Sequence, residues 1–396
     1  MELGVVGKPN VGKSTFFAAA TLAPVQIANY PFTTIEANRG VAYVRKQCPH
    51  AELGHPCKPN NAPCQEGTRL IPVELLDVAG LVPKAHEGRG LGNKFLDDLR
   101  QASALVHVID ATGGTDFEGN PVPPGAHDPL ADVQFLEDEL AHWIAGILSR
   151  NWEKEARRAD LEEAPPEKII STRLTGLGFT EMQVHSAVRD TALDPKMARW
   201  TAEDLFRLAR TLQHRGKPMI LAANKADMVS RESLQNVSKA AGYPVVPTSA
   251  EYELALRRAA SAGLITYQPG GSSFEILHPE KLTAAQEKGL EKIRAFLRER
   301  GSTGVQQCIE EAVFKLLDLI VVYPVEDEHH WTDKSGNILP DAFLVPRGST
   351  AVDVAFKVHT DLGNHFIRAI NARTKMVVGR DHPVQDGDVL KIVAKV

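Results

Sequence analysis

One eight-residue segment near the amino terminus constrains the fold more than any other part of the chain. Residues Gly7–Ser14 fit the pattern G-x-x-x-x-G-K-S/T, in which a glycine-containing loop directs backbone N–H groups at phosphate oxygens. A short apolar run, Leu3–Val6, precedes the segment, and a helix-forming run, Thr15–Ala20, follows it. Because a strand, this loop and a helix in that order form a phosphate-binding unit, we predict a P-loop nucleotide-binding domain.

The chemistry of the side chains assigns separate roles within this loop. Lys13 would reach the β- and γ-phosphates of a nucleotide, and the Ser14 hydroxyl would coordinate Mg²⁺. The residues that we expect to contact the nucleotide here are Gly7, Pro9, Asn10, Val11, Gly12, Lys13, Ser14 and Thr15.

A second motif, Asp77-x-x-Gly80, follows an apolar strand predicted over Leu70–Leu76. At the carboxyl end of a strand, the Asp77 carboxylate can hold Mg²⁺ through water, and the Gly80 N–H can approach the γ-phosphate. The sequence thus predicts a magnesium–nucleotide site built from two separate segments.

A third and a fourth motif bear on the choice of base. Asp227 offers two acceptor oxygens to the N1–H and 2-amino donors of guanine, a donor pair that adenine lacks. Asn224 and Lys225 would brace the loop and cover the base. A backbone N–H at Ser249–Ala250 would reach the guanine O6. The alternative for the segment Asn224–Asp227 is an ordinary helix-start cap.

Three longer stretches resemble the Obg family of GTPases, and most closely its YchF branch. They are residues 7–14, 29–38 and 77–82, the last continuing into 88–96. The resemblance implies a Ras-like domain that binds GTP or GDP with Mg²⁺ and a loop at 29–38 that orders on the triphosphate. It also implies that Thr34 is a magnesium ligand, with Thr33 as the alternative. Obg-like ATPases carry a degraded guanine motif, whereas this chain keeps the motif whole, which favours GTP.

Catalysis requires a group that positions the attacking water. Leu81 stands where Ras-like GTPases carry a glutamine, and leucine has no hydrogen-bonding group, so we expect slow intrinsic hydrolysis. His86 is a candidate water-positioning group, with a solvated loop histidine as the alternative. The predicted catalytic set is Lys13, Thr34, Gly80 and His86.

In relatives with the same loop an asparagine helps to hold K⁺, and the resemblance implies this role for Asn10. The alternative for Asn10 is ordinary turn chemistry.

Composition agrees with a folded protein of two or three domains. The 396 residues are 43% hydrophobic and 24% charged, and the formal net charge is −5. Such values are typical of soluble proteins, and they exclude a global electrostatic field for nucleic acid. We find no signal peptide and no run of membrane-spanning length, so we expect a cytoplasmic protein with reduced cysteines.

Three of the four cysteines lie in one polar, proline-rich insert. Cys48, Cys57 and Cys64 could bind Zn²⁺ together with His50 or His55, because three thiolates and an imidazole form a tetrahedral set. No Cys-x-x-Cys pair is present in the insert. The alternative is therefore a surface β-hairpin with free thiols.

The predicted fold class is α/β, with a Ras-like doubly wound sheet. An inserted helical domain interrupts the chain of this nucleotide domain, and a further domain follows it. We expect a nucleotide domain in two parts, 1–127 and 214–319, an inserted helical domain at 128–213, and a carboxyl-terminal domain at 320–396. Asp128-Pro129 and the Thr201/Asp204 pair are typical of helix starts. We expect the apolar stripe of the insert to form the insert's own core. The tail resembles a TGS domain, a ubiquitin-like β-grasp fold.

The tail also suggests a partner. Its basic residues include a group that could follow an RNA backbone: Arg368, Arg373, Lys375 and Arg380. By resemblance the partner is the ribosome or RNA, and not a membrane; the alternative for the tail is protein docking or capping of the nucleotide domain. The chain is thus predicted to be a Mg²⁺-dependent GTPase switch. The alternatives are a nucleotide-dependent binding module with negligible turnover and an Obg-like ATPase.

Overall fold

The computed structural model describes residues 1–22, 38–78 and 98–395. These residues fall into two compact units, one formed by residues 1–22, 38–39, 75–78 and 98–308, the other by residues 40–74 and 309–395. The grouping of 40–74 with the carboxyl-terminal residues was not part of the sequence prediction. The predicted domain limits remain predictions.

The strands alternate with helices in the first unit and cluster in the second. In chain order they are β1 Glu2–Val6, β2 Arg39–Gln47, β3 Cys64–Gln65, β4 Thr68–Asp77, β5 Ala104–Asp110, β6 Met219–Asn224, β7 Val245–Pro247, β8 Ile265–Thr266, β9 Glu275–Ile276, β10 Leu319–Val325, β11 Phe343–Pro346, β12 Phe366–Asn371, β13 Val377–Val378 and β14 Val389–Ala394.

The helices that begin at Pro129 and Ala202 follow the two predicted start signals. In the described residues the α-helices are α1 Lys13–Thr21, α2 Pro129–Ser149, α3 Trp152–Leu161, α4 Pro166–Leu174, α5 Glu181–Thr191, α6 Ala202–Gly216, α7 Arg231–Ala240, α8 Ala250–Ser261, α9 Ala284–Arg300, α10 Val305–Glu311, α11 Ala351–Val358 and α12 Thr360–Asn364.

The sheet of the first unit has the order β4-β1-β5-β6-β7. The pairs β1–β5, β5–β6 and β6–β7 are parallel. Strands β5 and β6 are buried along their whole length, as expected for parallel strands that are covered on both faces. The carboxyl ends of β1, β5 and β6 therefore meet at one edge, where α/β sheets bind ligands.

Helix α2 starts where the Asp128-Pro129 signal predicts, with the Asp128 carboxylate accepting the Leu130 N–H at 2.9 Å. The expectation that its apolar stripe forms a separate core holds only for the second half of the helix. Val133 belongs to the apolar cluster of the sheet, together with Leu105. Ile144 instead packs in a helical cluster with Leu208. The reason is geometric, since a 21-residue helix is long enough to contact both layers.

The second unit contains the sheet that the tail sequence predicted. Its order is β11-β10-β14-β12-β13, with β10–β14 parallel and β10–β11 and β12–β14 antiparallel. Helix α11 begins at a capping box formed by Thr350 and Asp353. A mixed sheet with one principal helix is the arrangement expected of a β-grasp domain. In the same unit, β3 and the first residues of β4, Thr68 and Arg69, pair antiparallel and form a hairpin that carries the cysteine insert.

Among the residues that the structure describes, no helix is both long enough and apolar enough to cross a membrane.

Candidate nucleotide site

The phosphate loop connects β1 to α1 through two left-handed residues. Asn10 has φ 63° and Gly12 has φ 93°. A Cβ atom on Gly12 would lie 2.2 Å from the Asn224 side-chain nitrogen, and one on Gly7 would lie 2.7 Å from the Val108 carbonyl oxygen. Close approach therefore requires a glycine at both positions, and at Gly12 the left-handed backbone conformation requires one as well.

Helix α1 starts directly after this loop, and no described side chain caps its first turn. The first N–H groups of a helix have no partner within the helix, and together with the helix dipole they favour an anion at this end. The amino terminus of α1 is thus suited to a phosphate group. Ser14 lies in its first turn, where its hydroxyl can serve as a magnesium ligand.

Lys13 and Asp77 meet at the mouth of the loop. The Lys13 ammonium group is hydrogen-bonded to the Asp77 carboxylate and donates to the Val78 carbonyl at 2.8 Å. The structure therefore brings together the cation predicted for the phosphates and the carboxylate predicted for Mg²⁺. A hydroxyl, a carboxylate and an ammonium group beside free helix N–H groups fit a magnesium–phosphate ligand.

Asn224 joins three of the predicted motifs. Its amide nitrogen donates to the Val11 carbonyl at 2.8 Å, and its amide oxygen accepts the Ala250 N–H at 3.0 Å. One side chain at the end of β6 thus ties the phosphate loop to the start of α8. Sequence separations of 213 and 26 residues are bridged in this way.

The predicted donors to the guanine O6 already have acceptors within the protein. The Ala250 N–H donates to Asn224, and the Ser249 N–H donates to the Thr303 carbonyl at 2.8 Å. For Ala250 to donate to a base, its hydrogen bond to Asn224 must be shared or exchanged. That role remains a prediction.

Lys225 is a left-handed residue directly before the short 3-10 turn Ala226–Met228, which contains Asp227. Lys225 has φ 61°, and its ammonium group lies 2.7 Å from the Asp110 carboxylate at the end of β5. Burial by itself would raise the pKa of Asp110, but hydrogen bonds from Lys225 and Thr112 outweigh it and lower that pKa overall. Asp227 is exposed, so its carboxylate is accessible to a base.

A buried ion pair lies under the phosphate loop and was not predicted from the sequence. Lys8 is 3% exposed and donates to Asp132 of α2 at 2.9 Å and to the Thr115 carbonyl at 2.8 Å. His127 lies 2.8 Å from the same carboxylate. The sequence does contain a signal for this ion pair, because Asp132 lies one helical turn before Leu136 on a stripe of α2 that is otherwise apolar.

Asn10 makes a related contact. Its amide nitrogen donates to the Gly119 carbonyl at 2.9 Å. A Cβ on Gly119 would lie 2.7 Å from the Pro9 carbonyl oxygen, so the loop after β5 touches the phosphate loop backbone.

The cysteine insert gathers four potential metal ligands in the second unit. The ligand atoms of Cys48, His50, Cys57 and Cys64 all lie within 4.8 Å of one another. All three cysteines are free thiols. Hydrogen bonding with Cys57 and Cys64 lowers the pKa of the Cys48 thiol, whereas hydrogen bonding with Cys48 raises that of Cys64. Of the two candidate histidines, the structure places His50 in the cluster and not His55.

Comparisons with known proteins agree with the site. Residues 2–141 match the family described as 50S ribosome-binding GTPase, and residues 222–327 match the G4 motif-containing domain of Obg-like GTPases of the YGR210-like type. Residues 335–394 match the TGS domain. A GTP-binding protein of Methanocaldococcus jannaschii is 52% identical over 99% of this chain and 98% of its own length.

The chain belongs to the Obg-like YchF family of GTPases. The solved structure of a GTP-binding protein from Pyrococcus horikoshii has the same fold, with a TM-score of 0.80 and 45% identity over the full length of both chains. A ribosome-binding ATPase YchF from Haemophilus ducreyi is 28% identical over 98% of each chain. The family, the P-loop fold and the TGS tail are therefore confirmed.

Three residues predicted for catalysis in this YchF-family protein, Thr34, Gly80 and His86, lie outside the described residues. So do Thr33, the alternative magnesium ligand, and Leu81, which stands at the position of the glutamine of Ras-like GTPases. Their roles stay predictions. The observed contacts of Lys13, Asp77 and Asn224 do not depend on these residues.

The basic residues of the TGS domain divide into two groups. The Arg373 guanidinium makes two hydrogen bonds to Glu52, at 2.7 and 2.8 Å, and lies over the Trp331 ring. Lys375 is hydrogen-bonded to the Glu328 carbonyl. Arg368 and Arg380 are exposed. Arg373 and Lys375 are thus engaged by other groups of the second unit, and the expectation that the four residues follow an RNA backbone stays a prediction.

Proposed function

We propose that this protein is a Mg²⁺-dependent GTP-hydrolysing switch that associates with the ribosome. The observation that carries the proposal is the pair of hydrogen bonds made by Asn224. They hold the guanine motif against the phosphate loop, so one ligand with a base and a phosphate chain can contact both. Family membership adds a GTPase domain and a TGS domain in one chain.

Each side chain has a distinct task in this proposal. Lys13 neutralises charge on the β- and γ-phosphates, and the N–H groups at the start of α1 hold their oxygens. Ser14 and Asp77 hold the Mg²⁺, together with Thr34 by family resemblance. Bound Mg²⁺ supplies further neutralisation of phosphate charge. Asn224 fixes the geometry, because it links the loop backbone to α8.

Guanine is favoured by Asp227. The exposed carboxylate offers two acceptors that match the N1–H and 2-amino donors of guanine, while adenine would leave them unpaired. Relatives under the YchF name are described as ATPases, so base choice within this family must be tested directly. The intact Asn224–Asp227 segment supports GTP here.

K⁺ is proposed as an aid to hydrolysis. Because Leu81 cannot orient water, charge stabilisation must supply more of the rate enhancement. The Asn10 amide nitrogen donates to Gly119, and its amide oxygen has no hydrogen-bond partner among the described residues. That oxygen is therefore able to coordinate a monovalent cation beside the phosphates.

A second candidate function, a nucleotide-dependent binding module without turnover, is favoured by Leu81. Multiple-turnover phosphate release separates the two. We expect wild-type protein to release phosphate from GTP slowly, faster in K⁺ than in Na⁺, and to bind GTP about 10- to 100-fold more tightly than ATP. Asp227→Asn should lose GTP affinity and gain affinity for xanthosine triphosphate, whose 2-oxo group accepts from an amide.

Asp138→Asn, an exposed substitution on α2, is the matched control and should change neither base preference nor turnover. ATP bound as tightly as GTP would overturn the base assignment. Absence of phosphate release from either nucleotide, with tight binding retained, would favour the binding module instead.

A further inference from the structure

Four side chains of the cysteine insert lie close together in space although they are separated along the chain. Cys48 follows β2, His50 lies in the short 3-10 turn Pro49–Glu52, Cys57 lies in the following loop, and Cys64 opens β3. The sulfurs of Cys48 and Cys57 are 3.8 Å apart, and the Cys64 sulfur is 3.6 Å from the His50 Nδ1. Nothing in the nucleotide site uses these side chains.

These separations match the edges of a zinc tetrahedron. Zinc binds thiolate sulfur at about 2.3 Å and imidazole nitrogen at about 2.0–2.1 Å. Ligands at tetrahedral angles then lie about 3.8 Å apart for two sulfurs and about 3.6 Å apart for sulfur and nitrogen, by the same bond lengths. Both observed separations agree with these edges, and a three-cysteine, one-histidine set is a common closed structural zinc site.

The charge around the cluster supports a metal. Arg69 is fully buried, and its guanidinium donates to the Ala62 carbonyl at 2.8 Å and to the Leu339 carbonyl. Its Nε atom has no hydrogen-bond partner among the described residues. A buried cation needs a compensating anion. Three thiolates and a neutral imidazole around a dication carry a net charge of −1. Arg69, which is the cross-strand partner of Cys64, balances this charge.

We propose that Cys48, His50, Cys57 and Cys64 bind one Zn²⁺ in a closed structural site, with Arg69 as its charge-compensating neighbour. The site offers four protein ligands and so leaves no position for a substrate. Its role is to hold the insert in one conformation, because the insert has too few apolar residues to do so by packing.

The ordered insert has a use within the second unit. Its main chain donates from Lys58 to the Ile338 carbonyl at 2.9 Å and from Asn60 to the Pro340 carbonyl at 2.6 Å. The Asn61 side chain both accepts from and donates to the Ala342 main chain, at 2.9 and 3.1 Å. Zinc would therefore fix a segment that docks on residues 338–342, just before β11.

Metal analysis of the full-length protein tests this proposal. After a mild chelator wash, wild-type protein should retain about one equivalent of Zn²⁺. His50→Asn and the double variant Cys57→Ser/Cys64→Ser should lose it, while the matched controls His55→Asn and Cys308→Ser should keep it. Wild-type protein that neither retains zinc nor binds added Zn²⁺ in competition with a chromophoric chelator overturns the site.

Cobalt provides a readout that does not depend on the variants folding. Co²⁺ bound to wild-type protein should show the strong visible absorption of a tetrahedral ion and thiolate charge-transfer bands. A weak octahedral spectrum overturns the proposal, as does loss of metal from His55→Asn equal to that from His50→Asn. Metal removal should also speed proteolytic cleavage within 48–64 and leave GTP affinity unchanged, and unchanged cleavage contradicts the structural role.

Discussion

His107 shows how strongly one side chain can be shifted by its position in the sheet. It lies on the central strand β5, is 1% exposed, and has an Nδ1 atom without a hydrogen-bond partner among the described residues. Burial, with a smaller contribution from the positive charge of Lys8, lowers the pKa of His107 to about 3. The imidazole is therefore neutral in the folded protein at all ordinary pH values.

This shift predicts a pH dependence of stability. In the unfolded chain the His107 pKa is about 6.5, so between pH 6.5 and 3 the unfolded state binds more protons than the folded state. The free energy of unfolding should thus fall as the pH falls through this window, by at most about 1.4 kcal/mol per pH unit from this residue. Denaturant unfolding followed by tryptophan fluorescence from pH 7 to pH 4 measures the slope.

His107→Leu should reduce that slope, whatever it does to stability at pH 7. The exposed His185→Leu is the matched control and should leave the slope unchanged. A wild-type slope retained in His107→Leu would show that other groups carry the pH dependence.

The loop between β5 and α2 is the element that supports the phosphate loop. It contacts that loop at Lys8 through Thr115, at Asn10 through Gly119, and at Pro9 through the close backbone of Gly119. Left-handed backbone at Asn10 costs free energy unless its surroundings hold it. The conformation of the nucleotide motif is thus set partly by residues more than a hundred positions later in the chain.

Removing the Asp132 carboxylate at the start of α2, which pairs with Lys8, should be costly. Asp132→Asn leaves the Lys8 ammonium group buried without its anion, so we expect a loss of about 3–5 kcal/mol in the free energy of unfolding. Affinity for a fluorescent GDP analogue should fall too, because the phosphate loop loses a support. Denaturant unfolding and fluorescence titration measure the two effects.

Two comparisons make this prediction specific. Lys8→Met combined with Asp132→Leu removes both charges and should recover much of the lost stability. Glu162→Gln breaks an exposed pair with Arg158 and should have a much smaller effect on stability than Asp132→Asn, because water and salt screen exposed pairs. Equal losses in Asp132→Asn and Glu162→Gln would refute a structural role for the buried pair.

Across the whole molecule, local sequence patterns predicted individual helices and strands. They did not predict contacts between residues that are far apart in the chain. The strand predicted over Leu3–Val6 is observed as Glu2–Val6, and the Thr201/Asp204 capping box was recognised from the spacing of its two residues. Such features depend on neighbours in sequence. The Lys8–Asp132 pair, 124 residues apart, depends on how β5 and α2 come together, which no local pattern encodes.

The same limit explains the remaining differences. The choice of His50 over His55 depends on the path of the insert, and both were open from spacing alone. The sequence indicated a basic tail but not that Glu52 pairs with Arg373, because that contact spans 321 residues. Residues 40–74 group with the carboxyl-terminal residues in one unit for the same reason, because that grouping also depends on contacts between distant parts of the chain.

Ribosome association, proposed above, is a property of the whole molecule, and the structure decides which charges can carry it. Arg368 and Arg380 are exposed on the TGS domain, whereas Arg373 is occupied by Glu52. We expect Arg368→Glu/Arg380→Glu to weaken co-sedimentation with ribosomes and to lower its salt dependence, because each lost phosphate contact removes about 0.7–0.9 from the slope of log affinity against log salt. GTP affinity should be unchanged.

The matched variant for that test reverses two exposed charges of the helical region, Arg157→Glu/Arg207→Glu. It alters the net charge of the protein by the same amount, so a general electrostatic effect would weaken both variants equally. Specific loss in the TGS variant supports contact through the tail, since phosphate contacts act over short range at physiological salt. Loss confined to the helical variant would instead assign ribosome contact to the helices and leave the TGS domain to another partner.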